Sequence, residues 1–257
     1  MSLVSIVDDA GVRTITLTHQ DRRNALGHAL LGELLPAVEG AACRALILRA
    51  EPGVTTWSAG HDIDDLPVDG SDPLAWTSPV EHLVRAVRAA PFPVIAAVEG
   101  GAWGAACNLA FACDLIVATR SAQFAITPAK LGVPYHSEGV AQFLSAVSAP
   151  VARAMFFTTE PLRADSPQLA DTVYAVVETS DDLTTEALRL ARRIASLAPL
   201  SIRAVKAEIN ALTDGRLLTA DTFEHLTALR RSAWASQDFR EGLAAFRERR
   251  DPDFSGR

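Results

Sequence analysis

Two short segments of this chain carry the residue types that a carbonyl-activating site needs. Ser58-Ala59-Gly60-His61-Asp62 stands after an apolar strand and a loop, and the run EGGAWGAACNL, Glu99 to Leu109, opens a helix. Each places small residues where a backbone can pass close to a ligand, and together they could aim two peptide N–H groups at one oxygen. Such a pair stabilises an oxyanion or enolate, and each donor contributes roughly 10²–10³ in rate.

The elements that must hold these segments alternate in type. Residues 3–7 and 12–17 read as a hairpin around Asp8-Asp9-Ala10-Gly11. Asn24 is placed to cap a helix with Leu26, Leu30, Leu31, Leu34 and Leu35 on one face, which Pro36 should bend or shorten. Ala45 to Leu48 is a buried strand by composition. The stretch from Leu66 to Pro79, rich in Pro, Asp, Gly and Ser, reads as a mobile loop over the site. A helix over 81–89, a strand over 93–98, the glycine-entered helix and strands at 115–118 and 123–125 follow. The alternation to about residue 178 argues α/β. After Asp181 the pattern is helical, over 183–197, 201–212, 216–235 and 238–249, and the shift at Ala198-Pro199-Leu200 divides a core, 1–198, from a helical region, 199–257.

Bulk properties narrow the function. The chain has 257 residues, 49% hydrophobic and 21% charged, as a globular protein does. No apolar run reaches the length of a membrane span, and the N-terminus has neither a basic leader nor an apolar stretch, so a cytoplasmic location is expected. A formal charge of −7 argues against general nucleic-acid affinity. An anionic ligand would need local cations, and Arg22-Arg23 and Arg247, Arg249 and Arg250 supply two clusters, each otherwise an ordinary solvated face. Cys43, Cys107 and Cys113 lack CxxC spacing and read as small buried fillers.

Collinear motifs then point to a family. RNAL (Arg23–Leu26), SAGHD (Ser58–Asp62), PVIAAVEGGAWGAACNLAFACDLIVAT, AQFAITPAKLG, LAP (Leu197–Pro199) and SQDFREGLAAFRERRDPDF resemble the crotonase, or enoyl-CoA hydratase/isomerase, superfamily nearly end to end. The resemblance implies a spiral of ββα units, a C-terminal helical region that trimerises, acyl-CoA thioester substrates, and neither metal nor separate cofactor. By position it puts the two oxyanion-hole amides on His61 and Ala105. It puts Arg22, Arg23, Asn24 and Ala59, with Phe246 and Arg249 of the last helix, at the coenzyme A. A dinucleotide loop does not fit the glycine spacing, whereas helix packing at Gly104-Ala105-Ala106 is the bland alternative.

The two glutamates that hydratases use fall on Asn108 and Pro128, and neither can accept and return a proton. A simple hydratase is therefore disfavoured. AGHDIDDLP, VEGGAWG and Ile126-Thr127-Pro128 through Pro134-Tyr135 resemble the methylmalonyl-CoA decarboxylase branch, which implies that His61, Thr127 and Tyr135 surround a substrate carboxylate. That branch often carries Glu where Asn108 stands. Glu138 and His136 are further titratable candidates near the pocket, and Trp57, Trp103 and Ile126 are apolar neighbours. The expected reaction is loss of CO₂ from methylmalonyl-CoA or a related malonyl-type thioester. Epimerisation through the same enolate, with Glu138 or His61 as base, is one alternative, and a non-catalytic acyl-CoA-binding protein, as a homotrimer or hexamer like the enzymes, is another.

Overall fold

The structure, a computed structural model, describes residues 2–65, 77–213 and 219–257. Ala10 and Gly11, at φ 47° and 79°, form a two-residue turn of the hand that matches strand twist, so β1 (Val4–Asp9) pairs antiparallel with β2 (Val12–Leu17). Asp8 and Asp9 thus belong to the strand, and the turn is shorter than the sequence pattern suggests. After α1 (His28–Glu39) come β3 (Ala45–Ala50), β4 (Thr56–Ser58), α2 (Pro79–Ala89), β5 (Val94–Val98), β6 (Gly101–Trp103), α3 (Ala105–Ala112), β7 (Leu115–Thr119) and β8 (Gln123–Ala125). Then follow α4 (Ser137–Ala146), α5 (Ala149–Thr158), β9 (Leu162–Arg163), β10 (Ala175–Val177), α6 (Ser180–Ala195), α7 (Pro199–Thr213), α8 (Ala220–Ala235) and α9 (Gln237–Glu248).

The strands form a six-stranded sheet, ordered β1-β2-β3-β5-β7-β10 and parallel beyond β2, and a second, four-stranded sheet ordered β4-β6-β8-β9. Every residue of β3 and β5 is buried, because helices cover both faces. Ala45 and Ile47 pack with Leu183, Leu190 and Ala191 of α6, whereas Leu46 and Leu48 point to the main core with α1, α2 and α3.

Two expectations need correction. Gly27, not Asn24, precedes the first turn of α1, and Asn24 lies with φ 50° outside the helix. Pro36 sits inside α1 without ending it, since the helix runs on to Glu39. The loop expected from Leu66 falls outside the described residues at 66–76, and its last residue, Pro79, begins α2 behind the N-cap Ser78. Helices α4 and α5, the short strands β4, β6, β9 and β10, and a one-turn helix over Pro128–Leu131 are additions to the sequence reading. Cys107 and Cys113 are buried fillers, as their spacing suggests, and Cys43 is half-buried.

The C-terminal helices are tied to the core by a buried cation. Lys206 of α7 donates from Nζ to the carbonyls of Val87 (3.1 Å) and Phe92 (3.0 Å) and pairs with Asp114 Oδ2 at 2.7 Å, and that oxygen also accepts from Val94 N–H at 2.7 Å. Among the described residues no helix is long and apolar enough to cross a membrane. Lys206→Met should cost about 1–2 kcal/mol of stability, read as a lowered urea midpoint, because it leaves the buried Val87 and Phe92 carbonyls without their donor.

Candidate functional site

Strands β4 and β6 are parallel neighbours, with Thr56 opposite Gly101 and Ser58 opposite Ala102, so the chain leaves both at the same edge of the sheet. His61 and Ala105 lie just beyond those ends. A Cβ on Gly60 would stand 2.2 Å from the Trp103 carbonyl oxygen and 3.1 Å from the Ala105 nitrogen, and Gly60 has φ +83°. Only glycine accepts both that angle and that contact. Gly104, at φ 53° and ψ −117°, turns β6 sharply into α3. Ala105 is thus the first residue of a helix, where an amide has no helical acceptor and the dipole favours negative charge. Among the described residues neither the His61 nor the Ala105 N–H has a hydrogen-bond acceptor.

The loop before His61 is fastened by backbone bonds: Ala59 N–H donates to Arg23 O at 2.9 Å and Leu26 N–H to Gly60 O at 2.7 Å. Asn24 is fully buried, donates from Nδ2 to Trp57 O at 2.9 Å, and accepts from His19 N–H at 2.9 Å. Ser58 Oγ donates to Asn24 O at 2.6 Å. The Asn24 side chain is therefore the lock that holds the loop. Arg22 donates from Nη2 to Asp62 (2.9 Å) and also to Asp64, which raises its own pKa and leaves it clamping the chain after His61. Arg23 is exposed and Ala59 half-buried beside it. His61 is half-buried; its Nδ1 lies 3.1 Å from Asp62 O, a carbonyl, so Nδ1 is the donor. The ring lines a cavity of about 160 Å³ with Leu26, Leu31, Asp65, Ser78 and Val80. Hydrogen bonds from the His28 N–H and ring, then the neighbouring His28 and His61, lower the Asp65 pKa.

Further side chains gather around the start of α3. The Thr127 hydroxyl would be 3.4 Å from a Cβ on Gly104, which sets it beside the Ala105 peptide. Asn108 lies one turn along α3 from Ala105, and helical side chains lean toward the N-terminus. It is 1% exposed, and neither its Oδ1 nor its Nδ2 has a hydrogen-bond partner. A buried amide without partners costs about 1–3 kcal/mol, a deficit that a polar ligand would remove. Tyr135 packs edge-on against Phe156 (5.1 Å between ring centroids) and Phe143 (6.2 Å), and burial pushes its phenol pKa well above the ordinary value. Neither the Tyr135 nor the Thr127 hydroxyl has a hydrogen-bond partner among the described residues. Trp57 and Ile126 are buried, and the Trp103 ring folds back over Gly101.

The remaining candidates stand apart. Glu138 is exposed in the first turn of α4. Phe246 is 84% exposed, and Arg249 is the exposed left-handed residue after α9. Sequence reasoning passed over Glu81, which lies buried on α2 and pairs with His136 at 2.9 Å. Its signal was a charged residue among Val80, Leu83, Val84 and Val87 on the buried face of that helix.

Parallel strand ends thus bring two amides without an acceptor among the described residues to one helix start. The chain belongs to the enoyl-CoA hydratase/isomerase (crotonase) family, whose model matches residues 8–257, and members of that family are enzymes that act on acyl-CoA. It is 33% identical over 256 residues to methylmalonyl-CoA decarboxylase of Escherichia coli (strain K12), covering 98% of each chain. It is also 32% identical over 266 residues to 2,3-dehydroadipyl-CoA hydratase of the same organism, covering 100% of both. A solved structure of methylmalonyl-CoA decarboxylase complexed with 2S-carboxypropyl-CoA superposes with a TM-score of 0.81 at 33% identity, over 100% of this chain and 99% of that one.

Gly60→Ala tests the close approach. The added carbon must displace the Trp103 carbonyl, so the variant should lose at least about 10² in kcat/KM toward its thioester substrate, the scale of one misaligned donor, even where circular dichroism shows it folded.

Proposed function

We propose that this protein decarboxylates methylmalonyl-CoA, or a related malonyl-type thioester, through an enolate. The observation that carries the reading is the chemical nature of the unpartnered groups around the start of α3. Among the described residues they are two peptide N–H groups, two hydroxyls and the Asn108 amide, with no carboxylate among them. Hydration needs a group that takes a proton from water and another that returns one. Loss of CO₂ needs neither. The bond from C2 to the carboxylate breaks, its electron pair enters the thioester, and the negative charge arrives on the oxygen held by the His61 and Ala105 amides. CO₂ departs, and C2 then takes a proton that comes from solvent, giving the neutral propionyl thioester.

Orientation supplies the rest. The breaking bond must stand perpendicular to the thioester plane, and the Thr127 and Tyr135 hydroxyls, with the Asn108 amide, are placed to hold the carboxylate there. A phenol whose pKa is raised stays protonated and donates. The similarity to methylmalonyl-CoA decarboxylase supports this reading, and the similarity to a hydratase is outweighed by Asn108 and Pro128. Because His61 Nδ1 donates to a carbonyl, Nε2 is the nitrogen that would take a proton from C2, and epimerisation at the same carbon is a second reading. Arg23, Ala59 and the clamped Arg22 are proposed to border the coenzyme A. Phe246 and Arg249 would reach it from another copy, because α7, α8 and α9 leave Val205, Leu212, Trp234 and Phe246 exposed, as an assembling face does. A homotrimer, alone or paired into a hexamer, follows from that reading.

Incubation of racemic methylmalonyl-CoA in heavy water, followed by mass spectrometry, tests the reaction. Decarboxylation predicts propionyl-CoA with one deuterium at C2 and no label in recovered substrate. Label in recovered substrate would favour the epimerase, and hydration of an enoyl-CoA with no CO₂ from any malonyl thioester would contradict the proposal. Ala105→Pro removes one donor at a helix position that tolerates proline, so kcat should fall by roughly 10²–10³ with the fold retained.

A further inference from the structure

We infer that Glu81 and His136 are a positioning pair for Tyr135, which hold the turn carrying its hydroxyl in place only while Glu81 bears its negative charge. The inference rests on the decarboxylase reading, in which Tyr135 touches the substrate. Glu81 is the one charged residue among the buried positions of α2, and it is 5% exposed. Ser78 and Glu81 have the spacing of a capping box, and Ser78 Oγ does accept from Glu81 N–H at 3.3 Å. The carboxylate does not complete the box by returning to the Ser78 N–H. Its Oε1 reaches across to His136 Nε2 at 2.9 Å.

The imidazole is held from its other side as well. Nδ1 accepts from Gly139 N–H at 3.0 Å and caps α4, so the ring proton is on Nε2, the nitrogen that lies 2.9 Å from Glu81 Oε1. One ring therefore bridges α2 to the start of α4. The Tyr135 and His136 rings lie 5.3 Å apart, and a Cβ on Gly139 would come within 2.4 Å of the first and 2.6 Å of the second. Release of His136 frees the surface on which Tyr135 rests.

The charge around Glu81 makes this support sensitive to pH. His136, Tyr135 and Glu138 face it from the turn and from α4, Arg85 from its own helix, and Cys107 of α3 lies beside Tyr135. Burial and then the Glu138 charge outweigh Arg85, and the Glu81 carboxyl is pushed up to about 7. Below that pH it takes a proton and becomes a weaker acceptor for the imidazole N–H. The folded value exceeds the ordinary 4.5, so between these values the unfolded chain binds fewer protons and stability falls as pH rises. Glu81→Gln should thus be at least as heat-stable as wild type at alkaline pH while it loses activity, the reverse of a purely structural residue.

The test is the pH dependence of CO₂ release from methylmalonyl-CoA between about pH 5.5 and about pH 8.5 by wild type, Glu81→Gln, His136→Asn and Tyr135→Phe. Wild-type kcat should fall about tenfold in all as pH is lowered through a midpoint near 7. Glu81→Gln should lack that limb, with kcat at the alkaline end lowered about tenfold and KM changed less than about threefold. Asparagine still caps α4 but does not reach Glu81, so His136→Asn should lower kcat at the alkaline end and lose the limb as Glu81→Gln does. An unmoved limb in both variants, with CO₂ release intact, overturns the pair. If Glu81→Gln fails to fold, an unmoved limb in His136→Asn does so alone. A wild type that releases no CO₂ sinks the decarboxylase reading itself, and Tyr135→Phe at wild-type rates sinks the role of the hydroxyl.

Discussion

The contact between Gly60 and the end of β6 constrains everything else at this site. Two peptides can address one small oxygen only if their chains approach more closely than any side chain permits, and here the virtual Cβ of residue 60 would fall 2.2 Å from a carbonyl. Parallel pairing of β4 and β6 sets both chains at one edge, the positive φ of Gly60 and Gly104 turns each out of its strand, and the helix that follows leaves the Ala105 amide without an internal acceptor. Asn24 and Ser58 hold the other side of the loop through buried bonds to backbone. Such preorganised dipoles need no rearrangement when charge develops, and that is the source of their catalytic value.

The polar groups beside this cradle divide into two kinds. Asn108, Thr127 and Tyr135 have no partners among the described residues, the state of groups that await a ligand. Glu81 and His136 are partnered with each other and stand behind Tyr135, not beside the amides. An acyl-CoA enzyme of this family that holds a substrate carboxylate needs both kinds, because a hydroxyl on an unsupported turn would surrender in mobility what it gains in hydrogen bonding.

Much of this was legible in the residues. The alternation of apolar strands with helices foretold the α/β core, and the small residues Ala59, Gly60, Gly104, Ala105 and Ala106 foretold the close backbone approach, because composition and period report burial and sterics directly. Asn24 misled for a physical reason: its side chain suits a helix cap, but a left-handed backbone and a buried carbonyl partner 33 residues away took it instead. The strands β4, β6 and β9 are too short to show a period, and they form because neighbours supply their hydrogen bonds. Glu81 was hidden because the capping pattern gave its carboxylate a local role, and its partner lies 55 residues further along. Family resemblance added the pairing of His61 with Ala105, which spacing alone could not assign.

If two amides converge on a thioester oxygen, they must weaken the carbonyl bond before any chemistry occurs. Isotope-edited infrared difference spectroscopy of propionyl-CoA labelled with ¹³C at the thioester carbonyl reports this in the bound state. The account predicts a carbonyl band displaced to lower wavenumber on binding. A bound ligand whose band stays at its position in water would contradict it.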